Sequence, residues 1–166
     1  MIVLGVDPGL TGAMALMSGR GLVSVTDLPV MMRGAGTGSV KNQVDAGALN
    51  STMRKMLAPY DRQEVMVVIE LQQAMGGGMN ASAVFSLGLT AGIIEAVVAA
   101  RSLPHELVQP SVWKKAMGLS AKGKDAKEQS MAMAKRYYPD AQLHLAKHHN
   151  RAEAILIARW GMEKHH

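Results

Sequence analysis

The sequence predicts one α/β domain over residues 1–166, built on a mixed five-stranded sheet flanked by helices. Three short strands open the chain, and a continuous apolar run at 65–70 is typical of a central strand covered on both faces. Segments with the 3.6-residue period of amphipathic helices alternate with these strands and follow them. With 166 residues, of which 48% are hydrophobic, the chain can bury a substantial core.

Turn residues separate the elements of the first half. Gly19-Arg20-Gly21 predicts a tight turn between two strands, and Asp45 is a suitable N-cap for the helix that follows. A loop bearing glycine and serine is expected over 32–44. The predicted elements are strands over 2–7, 12–18 and 21–27 and a helix over 45–58.

Glycine and proline also divide the second half. The run Met75-Gly76-Gly77-Gly78-Met79 interrupts the pattern, and Pro104 ends a long apolar helix whose Gly88 and Gly92 would let another backbone approach closely. The predicted elements are strands over 65–70 and 105–109 and helices over 80–101, 110–117, 124–137 and 150–162.

Composition excludes several classes of protein. The chain has no cysteine, which excludes disulfides, thiolate zinc sites and thiol catalysis and fits a reducing cytoplasm. The net charge of +5 favours an anionic partner such as nucleic acid. We expect neither a signal peptide, because Asp7 interrupts the first apolar run, nor a membrane span, because Leu87–Ala100 is short and contains Thr90 and Glu95.

Asp7 stands at the end of the first apolar run, and Pro8-Gly9 and Thr11-Gly12 follow it as turn signals. An acid at the end of a buried strand has to be satisfied, because an unpaired buried charge is costly. A metal ion would satisfy it. The alternative is that Asp7 only caps the turn.

Two further acids stand out by context. Glu70 also ends a buried strand, and Glu153 lies in the first turn of an otherwise apolar helix. If these elements meet at one edge of the sheet, the clustered carboxylates need cations, and oxygen ligands favour Mg²⁺ or Mn²⁺. Two such ions are the usual device for cutting phosphodiesters. The alternatives are an exposed strand-end residue at Glu70 and an N-cap pair formed by Asn150 and Glu153.

Residues 111–136 form a basic segment with only Asp125 and Glu128 as acids. This balance favours phosphate contact, although scattered lysines also occur on solvated helix faces. The basic residues are Lys114, Lys115, Lys122, Lys124, Lys127, Lys135 and Arg136.

Taken together, these segments resemble the RuvC family of Holliday junction resolvases in the RNase H-like superfamily, and most of all its phage-type members. The resemblance extends over nearly the whole chain. Residues 2–15 resemble the first strand and hairpin with the first metal-binding Asp, and Val67-Val68-Ile69-Glu70 resembles the strand with the second acid. The segments 80–88, 114–136 and 151–154 resemble the start of the long helix, the junction-binding segment and the C-terminal acidic helix.

The resemblance implies a homodimer that binds four-way DNA junctions and makes symmetric cuts with two Mg²⁺ per active site, where Mn²⁺ can substitute. It implies that the long helix mediates dimerisation, the alternative being that this helix is buried on its own sheet. It also implies that the protein acts in the cytoplasm of a bacterial or phage-infected cell. The implied catalytic residues are Asp7, Glu70, Glu153, the residue at 150 and Lys127. The implied DNA contacts are Lys114 or Lys115, Lys122, Lys124 and Lys127, with Gln73, Met75 and Met79 at the junction centre.

The chain departs from the family pattern at Asn150, where a second acid is expected three residues before Glu153. Asn150 is either a substitution that disables cutting, a natural residue accompanied by His149 as the fourth ligand, or a helix cap. We expect Asn150→Asp to raise Mg²⁺-dependent cleavage.

Two alternative functions remain. The first is a protein that binds junctions without cutting them, which the neutral residue at 150 favours. The second, suggested by the segment 7–12, is an actin-like or sugar-kinase-like ATP-binding domain.

Overall fold

The computed structural model describes residues 1–34, 41–72, 80–120 and 125–165. It confirms the predicted mixed five-stranded sheet, whose strand order is β3-β2-β1-β6-β7. Strand β1 pairs antiparallel with β2 and parallel with β6 and is therefore central. The strands are β1 (Ile2–Asp7), β2 (Ala13–Ser18), β3 (Gly21–Asp27), β4 (Val30–Arg33), β5 (Lys41–Val44), β6 (Val65–Glu70) and β7 (His105–Val108).

The hairpin of β4 and β5 was not predicted. The prediction of a loop over 32–44 is therefore wrong at both ends, where these two strands lie. Val30 pairs with Val44 and Arg33 with Lys41 in a separate two-stranded sheet. Strands of four residues that contain polar side chains carry too little alternation to be recognised from sequence.

The described residues include five α-helices, whose bounds lie within three residues of those predicted. Asp45 and Asn80 cap the first two, since their side chains accept hydrogen bonds of 2.9 and 2.8 Å from the backbone nitrogens of Ala48 and Ala83. The helices are α1 (Ala46–Leu57), α2 (Ala81–Ala100), α3 (Pro110–Ala116), α4 (Ala126–Tyr137) and α5 (His149–His165).

Both faces of the sheet are covered. Ile2, Leu4 and Val6 of β1 pack in the cluster that includes α1 and α2, whereas Val3 belongs to the cluster of α3, α4 and α5. Because side chains alternate along a strand, Asp7 lies on the same face as Val3. The last residue of β1 therefore points toward the layer of α3, α4 and α5.

Helix α5 crosses β1 at backbone contact. A Cβ atom on Gly5 would lie 2.4 Å from the backbone nitrogen of Ala158 and 2.5 Å from the carbonyl oxygen of Ala154. Farther along α5, a Cβ on Gly161 would lie 2.8 Å from Val68 and 2.9 Å from Val3. These small residues let the helix lie directly on β1 and β6, which brings its first turns to the ends of both strands.

Helix α2 packs on the other face through one narrow stripe. Its buried residues are Thr90, Ile94 and Val98, whereas Val84 and Phe85 are exposed. By length and composition alone this helix could cross a membrane, so the sequence argument against a span was wrong on that point. The buried stripe nevertheless makes α2 part of the core around the sheet.

Candidate active site

Asp7, Glu70 and Glu153 lie together at one edge of the sheet. Each offers a carboxylate oxygen, and these oxygens lie within 4.8 Å of one another. Val6 of β1 is opposite Ile69 of β6, so Asp7 and Glu70, the next residues, end their strands side by side. All three residues are less than 9% exposed, which shows that the alternative of an exposed strand-end residue at Glu70 is wrong.

The two glutamates are held by neighbouring residues of α3. The indole Nε1 of Trp113 donates a hydrogen bond of 2.7 Å to Oε2 of Glu70. The ammonium Nζ of Lys114 lies 2.8 Å from Oε1 of Glu153 in a buried ion pair. Successive side chains of a helix point about 100° apart. Trp113 can therefore reach Glu70 on β6 while the next residue, Lys114, reaches Glu153 on α5.

A hydroxyl from α4 completes the surroundings of Glu153. Ser130, which is fully buried, donates to Oε1 of Glu153 at 3.1 Å and also lies 3.1 Å from the carbonyl oxygen of Ala126. Neither Ser130 nor Trp113 was predicted from the sequence. Neither has a local signal, because their partners are 23 and 43 residues away in the chain.

The carboxylates repel one another in their buried setting. The pKa of Asp7 is raised well above its usual value, first by burial and then by the charges of Glu70 and Glu153, with Lys114 and Lys127 opposing the rise. Burial also raises the pKa of Glu70, while the hydrogen bond from Trp113 works against that rise. When all three carboxylates are ionised, their negative charge exceeds the positive charge of the Lys114 ammonium, which is the buried cation at the cluster among the described residues. Hard divalent cations fit this donor set.

Asn150 makes a contact with the turn after β1 that was not predicted from the sequence. Its amide Nδ2 donates hydrogen bonds of 2.5 Å to the carbonyl oxygen and 2.8 Å to the hydroxyl oxygen of Thr11, in the turn between β1 and β2. Helix α5 begins at His149, so Asn150 lies inside its first turn and the N-cap interpretation is wrong. The amide ties the start of α5 to the turn that follows Asp7.

The predicted role of His149 as a metal ligand finds no support in this arrangement. Within the described ranges, the group of side chains that could share an ion with Asp7 contains Glu70 and Glu153 but not His149. The imidazole Nδ1 of His149 instead lies 3.3 Å from the carbonyl oxygen of Ala146.

The predicted DNA contacts divide into three groups. Lys115 and Lys127 are exposed on α3 and α4 and are available to a partner. Lys114 is buried and paired with Glu153, so it belongs to the carboxylate cluster, and its predicted contact with DNA stays a prediction. The remaining predicted contacts, which lie outside the described residues, are Lys122, Lys124, Gln73, Met75 and Met79.

Comparison with solved structures identifies the architecture. The RuvC of Thermus thermophilus aligns over 99% of this chain and 96% of its own, with a TM-score of 0.55 and 18% identity. The same protein in complex with a Holliday junction substrate covers 99% and 97% of the two chains, with a TM-score of 0.57 and 14% identity. The Fowlpox virus resolvase, solved with its substrate Holliday junction DNA, covers 99% and 98%, with a TM-score of 0.52 and 12% identity.

No family model matches the sequence, and no curated protein matches it. The similarity therefore lies in the three-dimensional structure, and the alignment extends over nearly the full length of each solved structure. The chain has the RNase H-like fold of the RuvC-type resolvases, with a buried carboxylate cluster at the edge of its sheet.

Proposed function

We propose that this protein is a structure-selective endonuclease that resolves four-way DNA junctions by metal-dependent hydrolysis of phosphodiesters in the cytoplasm. The observation that carries the proposal is the buried cluster of Asp7, Glu70 and Glu153. It occurs in a fold shared with two proteins solved in complex with Holliday junction DNA. Such a cluster is costly to bury without a function that uses it.

Asp7, Glu70 and Glu153 would hold two Mg²⁺ ions, or Mn²⁺ in their place. When bound, such ions activate water and stabilise the leaving oxygen of a phosphodiester. The surrounding residues prepare the ligands, since Trp113 orients Glu70 and Lys114 holds Glu153. Lys127 would contact the phosphate that is cut. Its side chain is exposed, and its positive charge lowers the pKa of Asp7.

We further propose that the protein is a homodimer formed through α2. Val84 is 40% and Phe85 is 58% exposed on this helix. A Cβ atom added to Gly88 or Gly92 would meet nothing within 4 Å, so both glycines face open space. A long apolar helix with small residues on its outer face suits close approach of a second copy. Two active sites related by symmetry would then make paired cuts.

A second candidate function is binding to junctions without cutting them. The observation that favours it is Asn150, which contributes a neutral amide where the RuvC family carries a second acid. Its Nδ2 faces the carbonyl oxygen of Thr11. With three carboxylates instead of four, metal occupancy would be lower, whereas the DNA-binding surface would be unchanged.

Cleavage of a synthetic four-way junction, compared with linear duplex and flap substrates of the same sequence, tests these functions. Endonuclease activity requires cutting of the junction in Mg²⁺ or Mn²⁺ and no cutting in EDTA. Asp7→Ala should abolish cutting and preserve the gel shift of the junction. Binding without cutting at saturating Mg²⁺ and Mn²⁺ would instead support the second candidate.

The actin-like or sugar-kinase-like alternative depends on the segment 7–12 alone. Proteins of that kind use two such domains, whereas this chain aligns with the RuvC-type structures over 99% of its length. Calorimetric titration with ATP tests it directly, and we expect no heat of binding.

A further inference from the structure

A cavity of about 500 Å³ lies between the outer face of α4 and the start of α5. We refer to it as the α4–α5 groove. Its size falls within the range of sites that hold small molecules or single residues of a polymer, about 300–1,000 Å³. Its lining includes Lys127, Glu128, Met131, Ala132, Lys135 and His149.

The α4 wall of the groove has an apolar floor between two cations. Lys127, Met131 and Lys135 are four residues apart and therefore share one face of the helix. By the rise of an α-helix, the two lysines are separated by about 12 Å along the axis. Met131 and Ala132 form the apolar part between them, and His149 faces them from the first residue of α5. Glu128 is the one acid in the lining, so the balance of charge favours an anion.

Both walls of the groove are tied to the carboxylate cluster. On α4, the hydroxyl of Ser130, the residue before Met131, donates to Glu153 at 3.1 Å. On α5, His149 precedes Glu153 by four residues, which is about one helical turn. The positive charge of Lys127, which lines the groove, also acts on Asp7 by lowering the pKa of its carboxyl group. A ligand in the groove would therefore lie beside the site at which the phosphodiester is cut.

We propose that the α4–α5 groove binds the nucleotide next to the scissile phosphate, with its base on Met131 and Ala132 and its flanking phosphate at Lys135. This inference rests on the proposed nuclease function. The apolar floor is sequence-tolerant, because the face of a base packs on methionine and alanine without specific hydrogen bonds. The lysine at each end of the floor has a long, flexible side chain that can reach one of the two phosphates flanking the nucleotide.

Two variants alter the groove without touching the carboxylates. Ala132→Phe fills it from an exposed position, and Lys135→Ala removes the cation at its far end. The matched controls are Ala58→Phe and Lys55→Ala, which make the same changes at exposed positions of α1 and its C-terminal cap. Melting temperature and Mn²⁺ affinity of each variant without DNA establish that the fold and the carboxylate cluster are intact.

The readouts are junction cleavage and the fluorescence of 2-aminopurine placed on either side of the mapped cut, recorded with Ca²⁺ in place of Mg²⁺. We expect fluorescence to rise on binding at one of these two nucleotides, because its base leaves the stack. Ala132→Phe should remove that rise and lower kcat/KM about tenfold. Lys135→Ala should lower the slope of log affinity against log salt by about one. Both controls should match the wild type.

Failure of the groove assignment and failure of the nuclease function give different results. If the wild type cuts junctions and Ala132→Phe and Lys135→Ala equal it in cleavage, fluorescence and salt slope, the groove assignment is overturned while the nuclease function stands. A wild-type protein that neither binds nor cuts junctions overturns both.

Discussion

The indole nitrogen of Trp113 donates a hydrogen bond of 2.7 Å to Oε2 of Glu70, although the two residues lie 43 positions apart in the chain. Trp113 is fully buried and fixes the orientation of a carboxylate that burial would otherwise drive toward its protonated form. It is therefore a positioning residue for the cluster, because it acts through Glu70 and not on the substrate.

Trp113→Phe keeps an aromatic ring, although one smaller than the indole, and removes the donor. Losing a hydrogen bond to a charged group costs about 1.5–3 kcal/mol, and we expect cleavage to fall about tenfold. The pKa of Glu70 is already raised by burial, and the bond from Trp113 opposes that rise. Removing the bond raises the pKa further, so the acid limb of the pH–rate profile should move to higher pH. Trp160→Phe is the matched control, and equal displacement of the profile in both variants would contradict the assignment.

Asp7→Asn should stabilise the protein in EDTA. The pKa of Asp7 in the folded state is raised by burial and by Glu70 and Glu153. A raised carboxyl pKa means that stability is greatest at low pH and declines as pH rises from the unfolded pKa through the folded one. We expect a gain of about 1 kcal/mol at neutral pH, or roughly 2–4 °C in melting temperature for a domain of this size. Thermal unfolding from pH 4 to 8 measures it.

Added Mg²⁺ separates this explanation from a general effect of the substitution. Mg²⁺ should stabilise the wild type, because the ion binds the folded carboxylate cluster. Asp7→Asn should gain much less. A melting curve that is independent of pH in the wild type would show that the carboxylates do not repel one another as described.

Asn150→Asp tests what the neutral residue at 150 does. A fourth carboxylate should raise Mg²⁺-dependent cleavage. It should also lower stability, because the side chain would lose its donor and turn an oxygen toward the carbonyl oxygen of Thr11. Asn150→Ala is the control that loses the same hydrogen bonds without gaining charge, and it should be destabilised with no gain in cleavage. Unchanged cleavage in Asn150→Asp would exclude a disabled metal site.

Gly5→Ala should destabilise the fold strongly. The added Cβ would meet backbone atoms of Ala154 and Ala158, which cannot rotate away as a side chain can. Overpacking typically costs about 1–3 kcal/mol and occasionally more, and a clash with backbone atoms belongs to the upper end of this range. Gly19→Ala is the matched control, since a Cβ there meets nothing within 4 Å. Chemical denaturation of both variants measures the difference, and equal midpoints would contradict the close crossing of α5 over β1.

Phe85→Glu should convert the proposed dimer to a monomer. The side chain is 58% exposed on α2, so the substitution spares the core. Val23→Glu places the same charge at a 47% exposed residue of β3 and serves as the control. Light scattering coupled to gel filtration gives the mass of each variant. A wild type that is monomeric at all concentrations would refute the dimer.

Asp7 and Glu70 could be predicted as neighbours from the sequence, because two apolar runs each end in an acid and parallel strands bring such ends together. Local spacing also predicts the helix that carries Glu153. The residues that hold these ligands could not be predicted. Whether Trp113 reaches Glu70, or Asn150 reaches Thr11, depends on the tilt of a helix against a distant strand or turn. The hydrophobic periodicity of the sequence does not predict that tilt.

Because α5 crosses β1 in backbone contact, the spacing of the carboxylates is set by the backbone and not by how the core side chains pack. Methionines such as Met14, Met17 and Met53 fill the interior, and their flexible side chains tolerate substitution and repacking. The distance between Asp7 and Glu153 does not depend on them, because α5 rests on the backbone of β1 at Gly5. We therefore expect conservative hydrophobic substitutions of these methionines to leave the spacing of the carboxylates unchanged.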